Sequence, residues 1–100
     1  REKFPTLPVI FMSKPDYLCV ERDGALRRRI IYTTYSNALA KGDRNVYFID
    51  GETMFRKEGV DLAICTFDGC HPNDLGFWCM ARSIAETLAK ALERSAVLCE

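Results

Sequence analysis

Asp68 and His71 stand three residues apart, and His71 is the only histidine in the 100-residue chain. A carboxylate bonded to one imidazole nitrogen holds the ring in one tautomer and stabilises its protonated form. The other nitrogen is then left to take a proton from a nucleophile. Pro72 follows the histidine at once, and Asn73, Asp74, Leu75 and Gly76 lead into an amphipathic stretch. The spacing also fits a plain turn, with Asp68 bonding loop amides beside a partly exposed His71.

Other reactive residues crowd the same region. Cys65, Cys70, His71 and Cys79 make up the ligand inventory of a Cys₃His zinc site. Their spacing departs from the usual Cys-x₂₋₄-Cys knuckles, and Cys79 falls inside a helical pattern, so no metal is expected. Cys70 adjoins His71, yet adjacent residues rarely present nucleophile and base to one substrate atom. Of the serines, Ser36 and Ser83 fall mid-helix, and Ser13 is followed by Lys14 and Pro15 rather than by a tight nucleophile turn. Arg27, Arg28 and Arg29 crowd one helical turn and are expected to form a solvated face rather than a phosphate patch, since net charge is zero.

The elements that must carry these residues follow from periodicity. A continuous apolar run over residues 7–12 predicts a strand covered on both faces, with Pro8 at its first position. Leu26, Ile30, Ala38 and Leu39 give residues 21–41 a helical pattern, and Gly42 is the expected stop. Residues 45–50 predict a second strand ended by Gly51, so the unit is βαβ with parallel strands and a right-handed crossover. One helical turn is expected over 52–55, and a loop over 57–61. The apolar run 62–67 predicts a short strand or an extended lead-in to Asp68. Asn73 is the expected N-cap of a final helix. Its core stripe is expected to be Phe77, Met80, Ala81, Ile84, Leu88, Ala91 and Leu92. Arg82, Glu86 and Lys90 line another face at i, i+4 spacing. Trp78 falls off the stripe and is expected to face a cleft, as a substrate contact, or a partner. Residues 97–100 form a tail without a clear pattern.

Composition bounds the rest. An apolar fraction of 48% with 28% charged residues is ordinary for one globular domain. Fourteen basic and 14 acidic residues cancel, which gives no field to attract nucleic acid. No apolar run approaches the roughly 18 residues of a membrane span, and no leader pattern is visible. Five cysteines, at 19, 65, 70, 79 and 99, are an odd and irregular set. Reduced thiols in a cytoplasmic setting are the favoured reading. Two strands make a narrow sheet with an open edge over residues 7–12. Residues 1–100 are therefore expected to be a single partial domain, completed by strands from elsewhere or by a second copy through that edge.

The run Asp68-Gly69-Cys70-His71-Pro72-Asn73-Asp74-Leu75-Gly76-Phe77 resembles the closing sequence block of the SGNH (GDSL-type) hydrolase family, which has an Asp, two residues, His-Pro and then a Gly opening the terminal helix. The order of strand, helix, strand, loop and helix is similar to the second half of that flavodoxin-like fold, a three-layer α/β/α sandwich. The resemblance implies hydrolysis of a carboxylic ester by a Ser-His-Asp triad without a cofactor. His71 matches the general base and Asp68 its orienting carboxylate. The family's Gly-Asp-Ser block and its Gly-x-Asn-Asp block have no counterpart here, so nucleophile and oxyanion hole are expected upstream, in the missing half of the domain. The isolated segment is expected to be inactive. The alternative is a non-catalytic binding or dimerisation module.

Overall fold

Two short runs of β-branched, aromatic and other apolar residues pair as strands, and helices follow each of them. The computed structural model describes residues 1–15, 23–56, 59–60 and 62–98. The elements run β1 (Val9–Met12), α1 (Gly24–Ala40), β2 (Val46–Ile49), α2 (Thr53–Arg56), α3 (Leu62–Cys65) and α4 (Asp74–Leu98). The strands are parallel, in the register Val9 to Val46 through Met12 to Ile49. The expected strands thus form, trimmed at their ends, with Pro8 just before the first. The architecture is mixed α/β with a two-stranded parallel sheet.

α1 is the crossover. Its expected start at residues 21–22 lies outside the described residues. Its end follows the glycine rule. Gly42 sits at φ +89°, a left-handed conformation that costs glycine little. The Gly42 amide donates to the Leu39 carbonyl at 2.9 Å, and the Asp43 amide donates to the Ala38 carbonyl at 3.0 Å. These are the two bonds of a Schellman cap.

The face that α1 turns to the sheet differs from the expected one. Leu26 and Ile30 are exposed, at 46% and 57%. Aromatic rings make the contact instead. Tyr32 meets Phe48 edge-on at 5.1 Å, and Tyr35 lies near Phe48 at 5.7 Å and Phe11 at 6.4 Å. Arg28, Tyr32 and Tyr35 share one face at i, i+4, i+7. Arg28 is thereby the exception among the three arginines. It pairs with Asp50, with Nη2 2.5 Å from Oδ2, and its guanidinium lies 6.0 Å from the Phe48 ring centre. A stripe counted only in aliphatic residues misses this face.

The core gathers at the carboxyl end of β2. Ile49, Met54, Phe55, Cys65 and Cys79 are buried together, with Ile10, Val60, Met80 and Ile84 packed around them. β2, α2 and α3 all pack on α4. The helical turn expected at 52–55 is present as α2. Of the expected loop 57–61, residues 57, 58 and 61 lie outside the described residues.

Two expectations about α3 and α4 need correction. The run 62–67 is not a strand. Its first four residues form the α3 turn, Thr66 makes an isolated bridge to Pro72, and Phe67 lies in the bend that follows. A short apolar run does not distinguish strand from buried helical turn by pattern alone. The α4 stripe is only half covered. Met80, Ile84 and Ala91 face the core, whereas Phe77, Leu88 and Leu92 are exposed at 57%, 43% and 57%, and Ala81 is exposed too. The small residues Gly76, Cys79 and Ser83 occupy the buried side, and at Gly76 the Cys65 carbonyl approaches too closely for a larger residue. α4 runs to Leu98, so the tail begins as helix, and residues 99–100 lie outside the described residues. Among the described residues no helix is long and apolar enough to cross a membrane.

Candidate functional site

Asp68 and His71 sit on a tight loop between α3 and α4, and the loop is closed by its own bonds. The Phe67 amide donates to the His71 carbonyl at 3.0 Å, and the Gly69 amide donates to Thr66 Oγ1 at 3.0 Å. Gly69 adopts φ +82°, which turns the chain back toward α4.

Asn73 anchors the far side of the loop. Its Oδ1 accepts the Gly76 amide at 3.0 Å, the N-cap bond expected from sequence. Its Nδ2 donates to the Ile64 carbonyl at 2.7 Å, and its backbone amide donates to the Cys65 carbonyl at 2.9 Å. One residue therefore starts α4 and satisfies carbonyls that α3 would leave open. Gly76 completes the joint, since a Cβ there would overlap the Cys65 carbonyl oxygen.

Within this frame the carboxylate and imidazole meet. Asp68 Oδ1 accepts the amides of Cys70 at 2.9 Å and His71 at 2.7 Å. Asp68 Oδ2 lies 2.5 Å from His71 Nδ1. The loop-amide bonds of a plain turn and the ring contact of a dyad are thus both present. The His71 backbone N–H, then its ring, then the Cys70 N–H hold the Asp68 carboxyl well below the usual carboxylate range. An ionised Asp68 accepts only, so Nδ1 carries the proton in the pair. The His71 side chain is 75% exposed, and its Nε2 has no hydrogen-bond partner among the described residues. The arrangement offers a proton acceptor aimed outward from a fixed ring.

The other candidates fall differently. Trp78 is half exposed, and the Arg82 guanidinium lies 4.9 Å from its ring centre. Phe77, expected in the core, is slightly more exposed than Trp78, because the part of the stripe it belongs to has no cover. Cys65 and Cys79 are completely buried in the core, whereas Cys70 is half-buried on the loop. Among the described residues no group of three or more metal-ligating side chains converges. Cys19 and Cys99 lie outside the described residues. Ser13 is buried, and its Oγ accepts the Gly51 amide at 2.8 Å, which joins the chain after β1 to the chain after β2.

Lys14 is a neighbour that sequence reasoning missed. Its Nζ donates to Cys70 Sγ at 3.3 Å. The signal was available in topology, since parallel strands send both carboxyl ends to one side, where loops of open α/β sheets gather.

Comparison with models of known families, with curated proteins and with solved structures gives no match.

Proposed function

We propose that the chain is the carboxyl-terminal segment of an SGNH-type esterase or acylhydrolase. It supplies the general base His71 and the orienting carboxylate Asp68, while the serine nucleophile and oxyanion donors come from an upstream half of the domain. The reading rests on the 2.5 Å contact between Asp68 Oδ2 and His71 Nδ1, which leaves Nε2 outward. In the reaction, Nε2 takes the hydroxyl proton as the serine oxygen attacks the ester carbonyl. It then returns that proton to the leaving alcohol, and a second cycle with water frees the acid. Asp68 steadies the imidazolium through both transfers. The parallel strands, with α1 on both and α4 on β2, are compatible with the second half of a flavodoxin-like α/β/α sandwich.

The uninterrupted gene product is the material for the test. It is expected to hydrolyse p-nitrophenyl esters and to be labelled by a fluorophosphonate serine probe, with turnover lost in His71→Ala. The 100-residue chain alone is expected to do neither. A full-length product that neither turns over esters nor takes the probe overturns the reading.

A second reading is a non-catalytic dimerisation module. The observation that favours it is the unpaired edge of β1 among the described residues, beside the half-covered stripe of α4. Sedimentation of the 100-residue chain separates the two. A stable dimer broken by proline at Phe11, together with an inactive full-length product, favours the module.

A further inference from the structure

An open cavity lies away from the Asp68–His71 loop, at the amino ends of the strands. It encloses about 810 Å³ between the last turns of α1 and the segments leading into β1 and β2. Thr34, Asn37 and Lys41 line it from α1, at spacings of three and four residues, and Arg44 and Thr6 line it from the lead-in segments. That volume is within the range of small-molecule sites. The Asp68–His71 loop is at the other end of the sheet, where Lys14 follows β1.

The charges of this cavity are unevenly matched. Asp43 is already held by Arg1, whose Nε is 2.6 Å from Oδ2 and whose Nη2 is 3.1 Å from Oδ1. Arg1 also bonds the Asn45 carbonyl at 3.0 Å, which fixes it as part of the wall. Lys41 and Arg44 line the same space, and their side chains have no ion-pair partner among the described residues. The carbonyls that end α1 would oppose an anion, but Asn37, Ala38 and Leu39 have theirs bonded within the cap. Asn37 has no side-chain hydrogen bond among the described residues, so its amide is open to a ligand.

A second cavity of about 340 Å³ adjoins the first and shares Arg1, Ala38 and Asp43 with it. Its wall is apolar, built from Phe4, Leu7, Val9, Phe11 and Val46. A chamber lined by Lys41 and Arg44, neither of them ion-paired among the described residues, thus opens beside an apolar one.

We infer that the paired cavities form a binding site for a small amphiphilic anion. Its anionic head sits between Lys41 and Arg44 with Asn37 as a polar contact, and its short apolar arm lies against Val9, Phe11 and Val46. The ligand is a soluble molecule, because the apolar chamber, at about 340 Å³, has room for a short alkyl arm only. The site is independent of the ester chemistry proposed for His71.

Hexyl phosphate, inorganic phosphate and hexanol serve as probes, with binding followed by amide shifts of Lys41, Gly42, Arg44 and Val46. Hexyl phosphate is expected to bind at least about tenfold more tightly than inorganic phosphate, since burying two methylenes corresponds to that factor, and about tenfold or more above hexanol, which lacks the charge-assisted hydrogen bonds of the head. Lys41→Ala and Arg44→Ala should each weaken it about tenfold, as expected for loss of one charge-assisted hydrogen bond. Both side chains are exposed, so the variants should fold, and an unchanged melting curve checks this. His71→Ala should leave the affinity unchanged. Equal affinity for hexyl and inorganic phosphate removes the apolar arm from the proposal. Indifference to both substitutions, or no shift at all, overturns the site. Binding to phosphatidic acid vesicles without binding to hexyl phosphate overturns the soluble ligand in favour of a lipid surface.

Discussion

Lys14 Nζ lies 3.3 Å from Cys70 Sγ, so the carboxyl end of β1 meets the loop that carries Asp68 and His71. The contact joins residues 56 apart in sequence, and Cys70 is the only thiol of the loop between α3 and α4. Its half-buried state contrasts with Cys65 and Cys79, both fully enclosed. Iodoacetamide treatment of the native protein, read by peptide mapping, should modify Cys70 and spare Cys65 and Cys79 until denaturant is added. Native-state alkylation of Cys65 or Cys79 at the rate of Cys70 would contradict the core described above.

Asn73 can be dissected by substitution because its two ends do different things. Asn73→Ala removes both the N-cap of α4 and the donor to Ile64, and about 2 kcal/mol of stability should go with them. Asn73→Asp keeps an acceptor for the Gly76 amide but has no donor for the Ile64 carbonyl. Urea unfolding should place it between wild type and alanine. An Asp variant as weak as Ala would show that the cap contributes little.

Gly76 sets helix propensity against sterics. Alanine is favoured over glycine inside a helix by about 1 kcal/mol. Here the added Cβ meets the backbone oxygen of Cys65, which is bonded to the Asn73 amide and cannot move aside freely. Overpacking of this kind costs about 1–3 kcal/mol, so the steric loss outweighs the gain. Gly76→Ala should lower the denaturation midpoint. A rise in that midpoint would mean that α3 and α4 are not locked at this spacing.

Much of this was legible in the sequence, for physical reasons that can be named. The strands announced themselves as apolar runs, Gly42 as the one residue suited to a left-handed stop, and Asn73 as a cap before a long periodic stretch. Asp68 and His71 were readable because a three-residue spacing on a tight loop leaves few ways for the two side chains not to meet. The residues 62–65 were misread, since four apolar residues carry no usable period. Arg28 was hidden among three arginines, and only the position of Phe48 on β2 and of Asp50 just after it shows which one meets the sheet. The exposure of Phe77, Leu88 and Leu92 was unreadable, because periodicity marks an apolar face and does not report what covers it.

The Arg28–Asp50 pair predicts an acid dependence of stability. The Arg28 side chain, bonding Asp50 directly, lowers the Asp50 carboxyl below its ordinary value, with the Glu52 amide helping and partial burial opposing. A carboxyl lowered on folding contributes stability that is present above its unfolded value, near 4, and is lost as pH falls through the folded one. Asp50→Asn should therefore cost about 1 kcal/mol at pH 7, a modest figure because the pair is partly solvated. The gap between variant and wild type should close as pH falls below about 4. A gap that persists unchanged at pH 2 would assign the cost to packing rather than charge.

Asp68→Asn tests the orienting role directly, and it does so without the upstream half. With the carboxylate in place, the neutral imidazole of His71 should carry its proton on Nδ1, bonded to Asp68 Oδ2. The amide of the Asn variant offers only one oxygen, and its nitrogen is a competing donor. Long-range ¹H–¹⁵N spectra of the ring should show the Nδ1–H form in wild type and a shift toward Nε2–H in the variant. The loop amides of Cys70 and His71 still have an oxygen to bond, so the backbone spectrum should change little. In the full-length product the same substitution should reduce kcat for ester hydrolysis roughly ten-thousandfold, the scale set by the wrong tautomer in a serine protease triad. Because Asp68 stays ionised to well below the usual carboxylate range, its own titration should add no step to the wild-type profile between pH 8 and pH 5. A variant with unchanged tautomer and unchanged kcat would leave Asp68 as a turn residue only, and the base would then act without an orienter.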